Sequence, residues 1–339
     1  MNDTFLKACR GEKTAYTPIW MMRQAGRYLP EYQKVRGKVS FLDLCKNPDL
    51  CVEVTMQPVE ILGMDAAILF SDILILMEAM GAPLEFHEGR GPLFHTTIRD
   101  QAALDRLIIP DIAEQVGFVL ETIRLLRREL QVPLIGFAGA PFTCATYLIE
   151  GGSSKVFWET KKMMYQQPAV FHNLMAKITD STILYLLAQA KAGAQALQLF
   201  DSWVGILGPD DFADFALPYV QKIIAALQPC DVPLIYFANN GATLLELSVT
   251  SGADVIGLDW RIPIGQAIKK VGKKAVQGNL DPFALLLPKE QLRMRIQRLL
   301  KDAEGAHGHI FNLGHGIHQF TPPEQARIAV DAVHELSCR

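Results

Sequence analysis

Two arginines four residues apart are the first side chains in this 339-residue sequence whose type and spacing suggest chemistry. Arg23 and Arg27 follow residues 17–22, an apolar run with the composition of a buried strand. An arginine is permanently charged, and its planar guanidinium can bind a carboxylate through two parallel hydrogen bonds. Gly26 and Pro30 disfavour a regular helix here, which weakens the alternative of a helical surface ion pair. The pair therefore predicts an anion-binding site.

Two further residues have surroundings that suit a binding site. Asp72 lies between the apolar stretches AAILF and ILILM, where an ionised carboxylate needs hydrogen-bond donors or a cation. A ligand with several N–H groups, or with developing positive charge, would satisfy it, although a helix N-cap explains its position equally well. His315 lies between two glycines in NLGHGI, where low backbone crowding allows a ligand to approach. A lone histidine is more commonly structural.

Basic side chains are concentrated at the amino terminus of an otherwise acidic chain. The formal net charge is −3, which argues against a general nucleic-acid-binding surface. Eight lysines and arginines against three acidic residues give residues 1–40 a charge of +5, and the rest of the chain carries −8. A solvated surface would explain this charge run as readily as an anion site.

The elements that must position these residues are eight short apolar runs separated by helical patterns. Such runs lack strict alternation, as expected of parallel strands covered by helices on both sides. The pattern predicts one single-domain (β/α)8 barrel over residues 1–339, with a doubly wound open sheet as the alternative. Residues 85–106 are expected to form a loop-rich excursion. The runs are 17–22, 65–70, 132–137, 194–200, 232–237, 253–258, 273–278 and 308–313, and the clearest helical intervals are 111–130, 209–228, 282–303 and 322–336.

Polar side chains follow almost every one of these runs. In a barrel the carboxyl ends of the strands converge on one face, where barrel enzymes place their active sites. Serine, aspartate and asparagine after a strand are also preferred helix N-caps, but capping does not account for Arg23, Arg27 or His315. The residues after the runs include Arg23, Arg27, Ser71, Asp72, Asp201, Ser202, Asn239, Asn240, Asp259, Asn279, Asp281 and His315.

Several classes of protein lack support in the sequence. The chain contains no P-loop, no GxGxxG after a strand, no HExxH and no GxSxG. Six cysteines without a CxxC pair are expected to be free thiols. The most apolar window, 66–84, is interrupted by Asp72 and Glu78, so a membrane span is not expected. The first residues have no secretory h-region, which predicts a cytoplasmic protein.

Two longer motifs carry a resemblance to a known family. PIWMMRQAGRYLPEY and GFAGAPFTCATYLIEGG resemble the two signature segments of the uroporphyrinogen decarboxylases, and FSDIL, LQLFDSWVGILGP and NLGHGI resemble further family motifs in the same order. The resemblance covers essentially the whole chain; Cys144 departs from the usual leucine or valine. It implies a cofactor-free and metal-free (β/α)8 barrel, usually a homodimer. Such an enzyme removes carbon dioxide from the four acetate side chains of uroporphyrinogen III, giving coproporphyrinogen III in haem biosynthesis.

The resemblance also implies roles for individual residues. Asp72 would accept hydrogen bonds from the pyrrole N–H groups and stabilise a cationic intermediate. The proton donor stays open between Arg23, Tyr147, His315 and a bound water. The implied substrate-binding residues are Arg23, Gln24, Ala25, Gly26, Arg27, Asp72, Tyr147, Ser202 and His315, with Arg36 and Phe200 as additional candidates.

Two alternative functions are compatible with parts of the sequence. A zinc-dependent corrinoid methyltransferase shares the barrel, but such enzymes need thiolate and imidazole ligands, typically from a His-x-Cys pair. No His-x-Cys occurs in the chain. The second alternative is a tetrapyrrole-binding protein without activity, against which the presence of every expected polar residue argues.

Overall fold

Seven parallel strands form the central sheet of the computed structural model, which describes residues 1–87, 89 and 91–338. Their order is β1-β4-β5-β6-β7-β8-β9, so each strand pairs with the next sheet strand along the chain. Such a succession is typical of βα units that wind in one direction. The strands are β1 (Ala67–Ile68), β4 (Leu134–Gly139), β5 (Ala196–Asp201), β6 (Leu234–Ala238), β7 (Val255–Gly257), β8 (Ala275–Gln277) and β9 (His309–Ile310).

The predicted loop-rich excursion at 85–106 contains regular structure. Strands β2 (Leu84–His87) and β3 (Gly91–Phe94) form an antiparallel hairpin in which Leu84 lies opposite Phe94. The side chain of Phe86 packs on Phe41, with ring centroids 4.7 Å apart, so the hairpin has an apolar contact that holds it to the body of the protein. Glu88 and Arg90, in the same segment, lie outside the described residues.

Helices cover the sheet and connect its strands. Within the described residues, no helix is both long and apolar enough to cross a bilayer. The six cysteines are free thiols, as expected. The helices are α1 (Thr4–Cys9), α2 (Pro30–Arg36), α3 (Phe41–Lys46), α4 (Pro48–Leu62), α5 (Ile75–Ala79), α6 (Gln101–Asp105), α7 (Ile112–Gln115), α8 (Gly117–Glu129), α9 (Pro141–Glu150), α10 (Trp158–Gln166), α11 (Pro168–Ala192), α12 (Pro209–Phe215), α13 (Leu217–Leu227), α14 (Leu245–Val249), α15 (Ile264–Val271), α16 (Lys289–Asp302) and α17 (Pro323–Ser337).

Three of the four predicted helical intervals are interrupted. The interval 111–130 breaks at Val116 between α7 and α8. The interval 209–228 breaks at Ala216, because Pro218 lacks the N–H that a continuous helix would use. The interval 282–303 begins with a 3₁₀ turn, and α16 starts only after Pro288. The fourth interval is confirmed as the single helix α17.

The sheet curls into a half-barrel, as contacts between non-adjacent strands show. The side-chain amide of Gln277 on β8 donates to the side-chain oxygen of Gln198 on β5 over 3.1 Å, although β6 and β7 lie between them in the sheet. The indole N–H of Trp20 donates to the Gln277 side-chain oxygen over 2.9 Å. All three side chains are buried. This chain of polar groups crosses the concave side of the sheet, which a flat sheet would not allow.

Residues 17–22, predicted as the first strand, form only a single bridge, between Ile19 and Phe311. The Phe311 N–H donates to the Pro18 carbonyl (2.8 Å), and the Asp65 N–H donates to the Ile19 carbonyl (2.9 Å). Pro18 has no N–H, and the Ile19 N–H is bound by the Asp65 carboxylate (2.9 Å), so a regular ladder cannot form. The other seven predicted runs each contain a strand of the sheet.

Candidate active site

The predicted site residues lie beyond the carboxyl ends of the strands. Asp72 follows β1, Tyr147 lies on α9 after β4, Ser202 comes directly after β5, and His315 follows β9. The charge of Arg23 acts on Asp72, on Tyr147 and on His315. The structure therefore brings Arg23, Asp72, Tyr147 and His315, which are far apart in sequence, into one electrostatic neighbourhood.

Asp72 has a carboxylate that is partly enclosed and partly open. Its Oδ1 accepts the Leu74 N–H over 2.9 Å, just before α5 begins, so part of the predicted capping function is present. Burial raises its pKa to about 6, while the Leu74 hydrogen bond and the charge of Arg23 lower it. The residue is only half-buried, so part of its surface is accessible to solvent. Such a carboxylate is charged at neutral pH and is able to accept hydrogen bonds from a ligand.

Arg23 is held in a backbone conformation that few side chains adopt. Its φ is +62°, in the left-handed region that costs most non-glycine residues energy. Its side chain lies directly over Gly316, where a Cβ atom would come within 2.4 Å of the Arg23 Cδ. A glycine at 316 is therefore what allows the Arg23 side chain to lie beside His315.

His315 is neutral in this environment. Burial, together with the charges of Arg23 and Arg261, lowers its pKa to about 4. Because the cationic imidazolium is scarcely populated at neutral pH, His315 offers one N–H donor and one acceptor nitrogen. These are suited to a hydrogen bond with a ligand.

Tyr147 is buried against the loop after β5. Its ring lies 5.9 Å from that of Trp203, edge to face, and burial is the main cause that raises its pKa. The phenol therefore stays protonated and is available as an O–H donor. Ser202 and Phe200 border the same loop: the Ser202 carbonyl accepts from the Asn239 side chain over 3.0 Å, and both residues are half-buried.

The residues between and after the two arginines differ in exposure. Gln24 is buried, with its side chain accepting the Met21 N–H (3.1 Å) and donating to the Ala66 carbonyl (3.0 Å). Its side chain therefore ties the arginine loop to the chain entering β1. Ala25 and Gly26 are half-buried, and Arg27 is exposed. Arg36 donates to the Val39 carbonyl over 2.6 Å, an arrangement that fixes the turn after α2.

Asp201 is a buried carboxylate that the sequence did not single out as a site residue. It accepts the Thr143 hydroxyl (2.6 Å) and the Tyr236 hydroxyl (2.9 Å), and the Thr143 oxygen accepts the Trp203 N–H (3.1 Å). Burial raises the pKa of Asp201 to about 6, although the hydrogen bonds from Thr143 and Tyr236 act to lower it. Asp201 thus anchors the loop that carries Ser202 and Trp203. Its place at the end of an apolar run was visible in sequence, but its partners on α9 and β6 were not.

Arg261 is a further cation at the same end of the sheet, and its charge acts on His315. Nothing in the sequence distinguished it, because it follows β7 while its neighbours at the site follow other strands. Among the described residues, no group of three histidine, cysteine, aspartate or glutamate side chains is placed to hold a metal ion.

Comparison with known proteins relates the whole chain to one family. The profile of the family URO-D, uroporphyrinogen decarboxylase, matches residues 1–336. A uroporphyrinogen decarboxylase of Desulfotalea psychrophila is 77% identical over 339 residues, which is 100% of both chains. One of Carboxydothermus hydrogenoformans is 52% identical over 340 residues, covering 99% of this chain and 97% of the relative.

Solved structures share the fold at much lower identity. A methyltransferase from Methanosarcina mazei superposes with a TM-score of 0.83 over 98% of both chains at 21% identity. At that identity the likeness concerns the fold alone, so it gives no support to the methyltransferase alternative. Since the family profile spans nearly the whole sequence and full-length relatives share half to three quarters of their residues with it, the chain belongs to the uroporphyrinogen decarboxylase family.

Proposed function

We propose that this protein removes carbon dioxide from the four acetate side chains of uroporphyrinogen III without a cofactor, leaving methyl groups and giving coproporphyrinogen III in haem biosynthesis. The observation that carries the proposal is the half-buried Asp72 carboxylate, with a pKa of about 6, beside Arg23 and at the carboxyl end of the sheet. Membership of the family indicates the substrate, and the environment of Asp72 indicates where the reaction takes place.

Substrate binding is assigned to the two kinds of charge at the site. Arg23 and Arg27 bind side-chain carboxylates of the substrate, which carries eight of them. Asp72 accepts hydrogen bonds from the inward-pointing pyrrole N–H groups. The neutral His315 and the protonated Tyr147 add donors that bind carboxylates without the desolvation cost of another charge. The assignments of Gln24, Ala25, Gly26, Ser202, Arg36 and Phe200 as substrate-contacting residues are retained as part of this proposal.

The chemical step needs an electron sink, which the pyrrole supplies once it is protonated. A proton adds to the ring carbon next to nitrogen, and the ring becomes cationic. Carbon dioxide then leaves, and the electron pair of the broken C–C bond forms an exocyclic C=C bond that neutralises the ring. A second proton adds to the exocyclic carbon to make the methyl group, and the ring gives up the first. Each cycle consumes one net proton per acetate carboxylate.

Asp72 stabilises the cation that exists only along this path. A fixed charge beside a developing one is worth roughly 3–4 kcal/mol of transition-state stabilisation. His315 is a poor proton donor, because its imidazolium form requires a pH near its lowered pKa of about 4. That leaves Arg23, Tyr147 and a bound water as candidate donors; burial raises the pKa of Tyr147, which keeps its phenol protonated but makes it a weaker acid.

We further infer that the half-barrel closes as a single-domain (β/α)8 barrel over residues 1–339. Residues 17–22 make backbone hydrogen bonds to Phe311 on one side and to Asp65 on the other, which supports them as the eighth strand position of the barrel. A cytoplasmic homodimer is likewise proposed, in line with the family resemblance. Sedimentation of the purified protein at micromolar concentration tests the dimer, and a monomeric mass with full activity would contradict it.

The test of the function is a single-turnover product analysis. Protein stripped of metal with a chelator is incubated anaerobically with uroporphyrinogen III, and the products are oxidised and separated by carboxylate count. We expect conversion of eight-carboxylate material to four-carboxylate material. Unchanged substrate in the presence of folded protein that binds it would instead indicate the carrier without activity, and activity restored only by zinc would favour metal-dependent chemistry.

A further inference from the structure

Arg261 is held in place by its two preceding neighbours. Its guanidinium carbon lies 3.9 Å from the centre of the Trp260 ring, a stacking geometry that leaves the N–H edges of the guanidinium free. The Arg261 backbone N–H donates to Asp259 Oδ1 over 2.7 Å. Its Nη1 lies 3.6 Å from Asp259 Oδ2, which is ion-pair distance but too long for a hydrogen bond. The arginine is therefore oriented before any ligand arrives.

The stacked pair lies against the loop that carries His315. A Cβ atom at Gly314 would come within 2.4 Å of the Trp260 backbone nitrogen, so the β7 loop and the 314–316 loop are in close contact. On the other side of the same loop, Gly316 packs against the side chain of Arg23. His315 thus lies between two arginines, and both charges lower its pKa.

The guanidinium of Arg261 is open toward solvent. Its side chain is 44% exposed, while that of Asp259 beneath it is 1% exposed. Within residues 1–87, 89 and 91–338, it has an ion-pair partner in Asp259 but no hydrogen-bond acceptor for its N–H groups. A positioned and unsaturated arginine of this kind is a receptor for a carboxylate.

We propose that Arg261 binds a propionate carboxylate of the substrate, across His315 from Arg23. The inference rests on the proposed function and adds to it a residue that determines how the macrocycle is seated. Asp72 follows β1 and Arg261 follows β7, with three strands between them in the sheet, so we place Arg261 away from the reacting centre at Asp72. Acetates must reach that centre in turn and are consumed there. A carboxylate that stays bound at Arg261 through all four decarboxylations belongs to a side chain that the reaction leaves intact, namely a propionate.

The experiment compares Arg261→Ala with Arg261→Lys and with the control Arg298→Ala, which removes an arginine that is 84% exposed on α16. For Arg261→Ala we expect KM for uroporphyrinogen III to rise about tenfold, with kcat within about twofold of the unchanged protein, because the interaction is the same in ground and transition states. The inhibition constant of coproporphyrinogen III should rise by the same factor. Arg261→Lys should restore part of both effects, and Arg298→Ala should change neither.

A second readout separates binding from structural damage. The pKa of His315, followed by NMR in the unliganded protein, should rise in Arg261→Ala because a nearby positive charge is lost. A raised KM with unchanged coproporphyrinogen binding would overturn the propionate assignment, and an unchanged KM would overturn the role of Arg261 altogether. Binding of coproporphyrinogen III can be measured by fluorescence quenching even if the protein has no turnover, so failure of the proposed function would be distinguishable.

Discussion

Asp72 and His315 both lie near Arg23 at the carboxyl end of the sheet, and their pKa values are shifted in opposite directions. Burial raises the pKa of the carboxylate to about 6 and lowers that of the imidazole to about 4. Both shifts disfavour the charged form. The charge of Arg23 offsets the rise in the pKa of Asp72 and reinforces the fall in the pKa of His315. At neutral pH the site therefore contains Asp72 as a charged carboxylate, His315 as a neutral imidazole, and fixed arginine charges. This combination suits a substrate whose exterior is anionic and whose centre becomes cationic.

At the residue scale, Arg27→Ala separates binding from chemistry. Arg27 is exposed on the loop that also carries Arg23. Under the proposed function it binds substrate carboxylates that do not react in that step, so we expect KM to rise about tenfold with kcat within about twofold. Steady-state kinetics with uroporphyrinogen III measure both constants. A fall confined to kcat would contradict the assignment, and Lys34→Ala on the neighbouring helix α2 is the matched control.

Much of this site was predictable from sequence, and the reasons are local. The apolar flanks of Asp72 predicted a carboxylate that needs donors, and the position of Arg23 after an apolar run predicted an anion site. Asp201 was missed because its partners Thr143 and Tyr236 come from α9 and β6. Arg261 was missed because His315, on which its charge acts, lies on the loop after a different strand. The lowered pKa of His315 was equally hidden, since it depends on burial in the assembled fold and on two arginines far away in sequence.

At the element scale, the 314–316 loop makes two different contacts through its two glycines. A Cβ at Gly316 meets the flexible Arg23 side chain at 2.4 Å, whereas a Cβ at Gly314 meets the Trp260 backbone nitrogen at 2.4 Å. We expect Gly316→Ala to raise KM with a stability loss below about 1 kcal/mol, because only a side chain must move. Gly314→Ala should cost about 1–3 kcal/mol of unfolding free energy, since backbone must shift.

Urea unfolding and steady-state kinetics on the two variants check this pair. Equal losses of stability would show that Arg23 is not free to move away from position 316. A normal KM in Gly316→Ala would show that the Arg23 position over residue 316 does not matter for binding.

The Asp201 anchor between β5 and β6 predicts a pH-dependent stability. Its carboxyl ionises near pH 4 in the unfolded chain but at about 6 when folded, so between these values only the unfolded state has lost its proton. The wild type should therefore lose stability relative to Asp201→Asn as pH rises, by roughly 2 kcal/mol between pH 4 and 7. Denaturant unfolding of both proteins across this range measures the difference. A gap that is constant with pH would show that Asp201 does not ionise as described.

Strands could be predicted from sequence where an apolar run is flanked by turn residues. The prediction was wrong where individual residues prevent regular strand pairing. Seven of the eight apolar runs contain strands, because buried parallel strands show in sequence as short apolar runs. Residues 17–22 fail as a regular strand because Pro18 lacks an N–H and the Asp65 side chain takes the Ile19 N–H. The sequence gives no indication of that side chain, which comes from another part of the chain.

At the scale of the whole molecule, Asp65 connects the two ends of the chain. Its carboxylate accepts the Ile19 N–H (2.9 Å), the Tyr16 hydroxyl (2.7 Å) and the His334 ring N–H (2.7 Å) on α17. Asp65 is buried. It therefore holds residues 17–22 and the carboxy-terminal helix together where the half-barrel would close.

Replacing Asp65 by alanine should loosen this junction. We expect a loss of about 3 kcal/mol of unfolding free energy, because the Ile19 N–H is left buried without a partner. Asp43→Ala, at an exposed position on α3, is the control. Denaturant unfolding gives the free energies, and amide exchange locates the effect: faster exchange at Ile19 and Phe311 is expected, and unchanged exchange there would contradict the role of Asp65.

The general class of the molecule could be predicted from apolar runs and helical intervals, but its closure could not. The buried chain from Trp20 through Gln277 to Gln198 joins residues up to 257 positions apart, and no local pattern indicates that these polar side chains face one another. Contacts of this kind are set by the curl of the sheet, which is a property of the assembled fold.

The central claim is that an ionised Asp72 stabilises the cationic intermediate, and the pH–rate profile of Asp72→Asn tests it most directly. The wild-type kcat/KM should rise with pH through about 6 and then level off, because the carboxylate must be charged. Asp72→Asn should lose about 10²–10³ in kcat, with no rise through pH 6. Near-normal turnover in the variant, or an unchanged rise through pH 6, would contradict the account.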